Sequence, residues 1–185
     1  MEHKKLVRNR RSYYDDYKKT ASGEYIYAGP EYEFESSNGK SRKRWMLEMI
    51  LLNVAALACV LVPGFMFVPG LSYCAYVVLP YAASVLLFGY MLLISMRLAA
   101  AKDSVKAWEY DKSAKVLPVA TVAAVVIAAA NFVCEIVFLA INGSSGQVTG
   151  AVVYMVCQAA AGAISFFAVK LARSAKWNKK PGAEI

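Results

Sequence analysis

A chain of 185 residues suits one soluble domain by length, yet 58% hydrophobic residues and a mean hydropathy of +0.40 are too apolar for that class. A formal charge of +8 points toward anionic partners, but the placement of the charges says more than their sum. All 21 Lys and Arg fall in three groups, eleven before Trp45, five between Arg97 and Lys115, and five from Lys170 onward.

The apolar residues gather in four blocks, 46–62, 73–96, 116–141 and 148–171. Each has the roughly 17 to 25 residues that cross about 30 Å of hydrocarbon at 1.5 Å per residue. The connections 63–72 and 142–147 carry no charge at all. By the positive-inside rule the N-terminus, the middle connection and the C-terminus are expected in the cytoplasm, with the two uncharged turns outside. The expected fold is therefore an all-α integral membrane protein of the cell membrane. It has four transmembrane helices in two hairpins, N-in and C-in, with a cytoplasmic N-terminal arm. The divisions are an arm over 1–44, a transmembrane domain over 45–175 and a cytoplasmic tail over 176–185. Anionic headgroups at the inner face account for the basic residues, so no nucleic-acid partner is called for.

Taken in order, residues 1–20 mix charges with a sparse stripe of Leu6, Tyr13, Tyr14 and Tyr17, too thin for a core. Aromatics then alternate on both sides of Gly29-Pro30, and this period-two pattern predicts a short β-hairpin over 23–35 or two extended arms. A lone hairpin is marginal in water, so the segment is expected to pack on the chain's own cytoplasmic loops, on headgroups or on a partner. Its docking candidates are Tyr25, Tyr27, Tyr32 and Phe34. The first apolar run starts only after residue 44 and leads into further spans, which speaks against a cleaved secretory signal.

Glu48 lies one turn inside the first span and Arg97 at a similar depth in the second, which makes them a candidate inner-leaflet ion pair. Two Pro-Gly pairs, 63–64 and 69–70, stop both helices and leave an apolar bridge at the external surface. Residues 98–115 read as an amphipathic continuation of the second helix, with Val105 and Trp108 on one side.

The third span sets Ala120, Ala124, Ala128, Asn131 and Glu135 at intervals of three or four, so they share one face. Small residues at that spacing let membrane helices approach closely. The fourth span offers Gly150, Tyr154, Gln158, Gly162 and Ser165, and counting from the helix ends brings Asn131 level with Gln158 and Glu135 level with Tyr154. With Tyr81 at a similar level, the candidate intramembrane polar layer is Tyr81, Asn131, Glu135, Tyr154 and Gln158. Glu135 supports two readings: a neutral carboxyl serving as interhelical glue, which is favoured, or a proton or cation site in transport.

Cys59, Cys74, Cys134 and Cys157 match no metal or CxxC spacing, and His3 is the only histidine. No nucleophile with a base and no phosphate-cradling loop is present in the sequence pattern, and the one adjacent carboxylate pair, Asp15-Asp16 beside Lys18 and Lys19, reads as a solvated charge mixture, so neither enzyme, cofactor nor metal is expected. The leading functional expectation is a non-enzymatic accessory or scaffold membrane protein interacting through its arm, residues 1–44. The alternative is a small transporter or channel subunit for protons or small solutes, a homo-oligomer, using the polar layer around Glu135.

Overall fold

The structure is a computed structural model and describes residues 16–19, 23–37, 39–101, 104–143 and 148–181. The strands β1 (Tyr17–Lys19), β2 (Tyr25–Tyr27) and β3 (Glu31–Ser37) precede the long helix α1 (Arg42–Leu61). A 3-10 turn over Val62–Phe65 and the short α2 (Pro69–Tyr73) lead into α3 (Ala75–Ala100). Then follow β4 (Ser104–Lys106), α4 (Ala107–Lys112), α5 (Leu117–Asn142), α6 (Val148–Arg173) and β5 (Ala175–Lys180).

Among the described residues four helices, α1, α3, α5 and α6, are long and apolar enough to cross a membrane, as an integral membrane protein requires. Their most apolar windows have mean hydropathies of 1.9 to 2.5, yet only 28 to 33% of each window is buried within the chain. Leu51, Leu86, Val126 and Phe167 are among the side chains left outside. A continuous surface of that kind suits lipid and not water.

What each helix buries follows one rule. In α5 the buried positions Leu117, Thr121, Ala124, Ala128, Asn131, Glu135 and Phe138 are spaced alternately by four and three. The buried set of α6 contains Ala151, Tyr154, Gln158, Ala161, Ser165 and Ala168, spaced by three and four. Met46, Met49, Asn53, Ala56 and Val60 of α1 repeat the pattern, as do Ser84, Phe88, Met91, Ser95 and Leu98 of α3. A mean repeat of about 3.5 residues keeps a seam facing its partner when helices wrap left-handed around one another. Each long helix packs on two others, α1 on α3 and α6, and α5 on α3 and α6, so the four seams close on a shared interior.

At one end of the bundle the chain builds a three-stranded antiparallel sheet in the order β4-β3-β5. Tyr32 sits opposite Val105 of β4 and Lys179 of β5, and Phe34 opposite Trp177. A bulge interrupts the register of β3 with β5 between Phe34 and Ser36. Phe34, Trp45 and Trp177 form a mutual aromatic cluster with ring centroids 5.3 to 6.4 Å apart. The Trp45 indole donates to the Leu171 carbonyl at 2.9 Å, so sheet and helix ends are locked together.

Several expectations change here. The predicted hairpin over 23–35 does not form: β2 pairs with β1, Tyr17 opposite Tyr27, while β3 pairs with strands far away in sequence. Gly29 is buried against Asp16, so the chain at Gly29-Pro30 packs back on β1 instead of folding β2 onto β3. Residues 98–115 are not one helical extension, because α3 ends at Ala100 and the chain continues as β4 and α4. The tail begins as a strand, with Trp177 half-buried on the cluster. The stripe residues Leu6, Tyr13 and Tyr14 lie outside the described residues.

Candidate functional site: a buried polar layer around Glu135

The α5 seam carries Asn131 and Glu135 inward, and the α6 seam carries Tyr154 and Gln158 toward them. All four side chains are 0% exposed. The Asn131 side-chain amide donates to Gln158 Oε1 at 3.3 Å. The Tyr81 ring of α3 lies 6.1 Å from that of Tyr154, tilted by 51°. The five residues therefore occupy neighbouring levels of the interior, contributed by three helices.

Their hydrogen-bonding capacity is only partly used. Among the described residues, both Glu135 carboxyl oxygens, the Tyr154 hydroxyl, Asn131 Oδ1 and Gln158 Nε2 have no partner. The expected contact of Glu135 with Tyr154 is not a hydrogen bond. A buried polar atom left unpaired costs about 1 to 3 kcal/mol. A half-satisfied polar network in apolar surroundings is therefore costly, and an ionisable residue inside a membrane span is a candidate functional site.

The layer is covered by the segment between α1 and α3. That bridge was expected to lie on the surface. Phe65, Met66 and Phe67 are indeed exposed, but Val68, Pro69 and Gly70 turn inward and are buried. Val68 joins Val77, Phe138 and Tyr154 in one apolar cluster. Three glycines make the approach close. A Cβ on Gly70 would overlap Glu135 Oε2, one on Gly64 would overlap the Tyr81 hydroxyl, and one on Gly150 of α6 would overlap the Phe67 carbonyl. The absence of side chains lets the backbone of the two Pro-Gly turns rest directly on the polar groups.

No family model, curated protein or solved structure matches this chain.

The other candidates are distributed differently. Glu48 is paired, but not with Arg97. Lys40 Nζ bonds its Oε2, and Arg44 Nε lies 3.3 Å from its Oε1. Arg44 stands one helical turn before Glu48 on the same face, whereas the Arg97 side chain is exposed on α3. Similar depth in two helices does not place two side chains on facing sides.

Of the four arm residues, three are used by the chain itself. The Tyr27 hydroxyl donates to the Pro30 carbonyl at 3.0 Å and accepts the Ala107 N–H at 3.1 Å. Tyr32 stacks on Tyr110 at 3.9 Å with planes 4° apart, and Phe34 belongs to the tryptophan cluster. Tyr25 alone stands free of these contacts, 69% exposed.

Sequence reasoning passed over Asn53, whose amide donates to Ser95 Oγ at 2.7 Å between α1 and α3. An amide inside an apolar span was the available signal, as it was for Asn131. The four cysteines are free and half-buried, and no cluster of three metal-ligating side chains occurs among the described residues.

Proposed function

We propose that the chain is a small membrane transporter or channel subunit whose proton- or cation-binding group is Glu135. The observation that carries this reading is a carboxyl with both oxygens unpartnered among the described residues, fully buried among apolar helices and covered by a glycine-lined turn. A carboxylate in such a place is costly unless a proton or cation neutralises it, and intramembrane carboxyls of that kind mark ion and proton pathways. Tyr154, Gln158 and Asn131 supply unfilled donors and acceptors around it, the groups that take over when an ion or proton leaves water. Access to Glu135 runs past 62–73, the segment whose backbone rests on it.

The two-hairpin arrangement and the N-in, C-in orientation in the cell membrane belong to the same proposal. Two observations support them: the basic residues cluster before Trp45, at 97–115 and after Lys170, and the sheet draws one strand from each of those three regions.

The accessory reading keeps one specific observation in its favour. Tyr25 and Ile26 on β2 stand 69% and 45% exposed, an apolar pair outside the bundle. Both neighbours of β3 are already supplied by this chain, so a partner has that pair and not the β3 edge to bind. Co-purification with and without residues 1–35 tests it, and an unchanged partner set rejects it.

The transport reading is tested by reconstituting wild type and Glu135→Gln in vesicles and following proton and monovalent-cation flux. Flux is expected from wild type and is expected to be lost in the variant, with thermal stability unchanged. Equal flux from both proteins, or none from either, rejects the proposal.

A further inference from the structure

We infer that the species Glu135 binds is the proton, and that the approach of Gly70 closes the site to metal cations. The inference rests on the reading of Glu135 as the binding group of the bundle and names the ion it takes.

Charge comes first. Between Trp45 and Met96, and again between Val116 and Val169, the sequence has no Lys, Arg or His, and its only acids there are Glu48 and Glu135. Glu48 is held by Lys40 and Arg44. The titratable groups packed around Glu135 are Cys134 beside it on α5, Tyr154 of α6, Tyr81 of α3, and Cys74 with Tyr76 at the start of α3. None of them carries a positive charge in any protonation state. The charge that neutralises Glu135 therefore comes from outside these helices, and one positive charge is enough.

Coordination then chooses between the candidates. A hard metal cation that leaves water needs about six oxygen ligands in place of its hydration shell. The backbone of Gly70 occupies one side of the carboxyl: a Cβ there would overlap Oε2 and stand only 3.3 Å from Oε1. The Tyr154 hydroxyl and Asn131 Oδ1 are unpartnered acceptors, but Asn131 is one helical turn away, about 5 to 6 Å between β-carbons. Beside Asn131, Gln158 presents an unpartnered N–H, a donor that repels a cation. Val68, Val77 and Phe138, all buried, complete the surroundings and supply no side-chain ligand.

A proton makes none of these demands. It needs one lone pair and almost no volume, so the carboxyl can hold it with Gly70 where it stands. Once protonated, Glu135 is both donor and acceptor, and the unpartnered Tyr154 hydroxyl of the facing helix can serve either role toward it. Gly70 is thus a specificity-determining position: its bare backbone leaves room for a proton on the carboxyl and takes the space where further oxygen ligands would gather.

The test uses the full chain, stripped of lipid in a detergent without carbonyl groups, and follows the carbonyl stretch of protonated carboxylic acid by infrared spectroscopy at neutral pH, where exposed carboxylates are ionised. The band is expected in wild type, lost in Glu135→Gln, kept in Glu48→Gln, and unchanged as sodium or potassium chloride is raised. In vesicles, a proton gradient is expected to drive flux that Glu135→Gln abolishes, and a sodium or potassium gradient at equal pH none. The inference is overturned if wild type lacks the band, if Glu48→Gln removes it in place of Glu135→Gln, or if either salt displaces it. Should Glu135→Gln fail to fold, the salt titration of wild type and the Glu48→Gln spectrum still decide. Sodium or potassium flux that depends on Glu135 would overturn the proton while upholding transport. A salt-resistant band with no flux of any ion would uphold the proton and reject transport.

Discussion

Replacing Gly70 by alanine adds a methyl group where the Glu135 carboxyl already stands, because a Cβ there would overlap Oε2. The backbone itself does not object, since Gly70 is not among the glycines with positive φ. Two opposing terms decide the sign. Alanine in a helical position gains at most about 1 kcal/mol over glycine. Overpacking a closed interior costs about 1 to 3 kcal/mol, and although the obstructing atom is the end of the Glu135 side chain, that side chain is fully buried and has little room to turn aside. The net expectation is a loss of about 1 to 2 kcal/mol. For a chain of this size that lowers the melting temperature by about 2 to 8 °C. Thermal unfolding in detergent, followed by tryptophan fluorescence, measures it. The decisive comparison is the same substitution in a Glu135→Ala background, where the carboxyl is gone and the alanine has room. Its cost there should fall below about 0.5 kcal/mol, because coupling appears only between residues that touch. Gly162→Ala supplies the opposite control. Its Cβ would stand 3.6 Å from the Ala128 Cβ, an ordinary contact, so it should be neutral or slightly stabilising. If Gly70→Ala leaves the melting temperature unchanged, or costs as much without Glu135 as with it, then the turn does not rest on the carboxyl.

Two other perturbations address the rest of the molecule. Asn53→Ala removes the 2.7 Å bond to Ser95 and should lower stability by about 0.6 kcal/mol and by no more than about 1.7, the average and the upper limit for interhelical hydrogen bonds in membranes; a double cycle with Ser95→Ala reads the pair term, and zero coupling would dismiss the bond. Deleting residues 175–185 removes β5 and should leave the helical circular dichroism intact while opening 31–37 to limited proteolysis, since β3 loses one of its two neighbours; a truncated protein as resistant there as the full chain would show that β5 does not hold the strand.

What the sequence determined by itself concerns properties that are local along a helix. The four spans were legible because hydropathy over about 20 residues is set by the bilayer and needs no knowledge of neighbours. The shared face of Ala120, Ala124, Ala128, Asn131 and Glu135 was legible because side chains three and four apart must stand together on any helix. The level of Asn131 with Gln158 followed from a fixed rise per residue, and a hydrogen bond joins them in the structure.

Tertiary structure alone decided everything that depends on direction around a helix axis or on pairing between distant segments. Glu48 and Arg97 share a depth, yet Glu48 faces Lys40 and Arg44. The alternating arm 23–35 announced strands correctly, but a strand's pattern does not name its partner, and β3 found its neighbours at Ser104–Lys106 and Ala175–Lys180. The two Pro-Gly pairs marked where helices stop and said nothing of where the chain goes next. Only the packed bundle shows Gly64, Gly70 and Gly150 bringing backbone onto Tyr81, Glu135 and Phe67, because a glycine is required by what approaches it, and that comes from elsewhere in the chain.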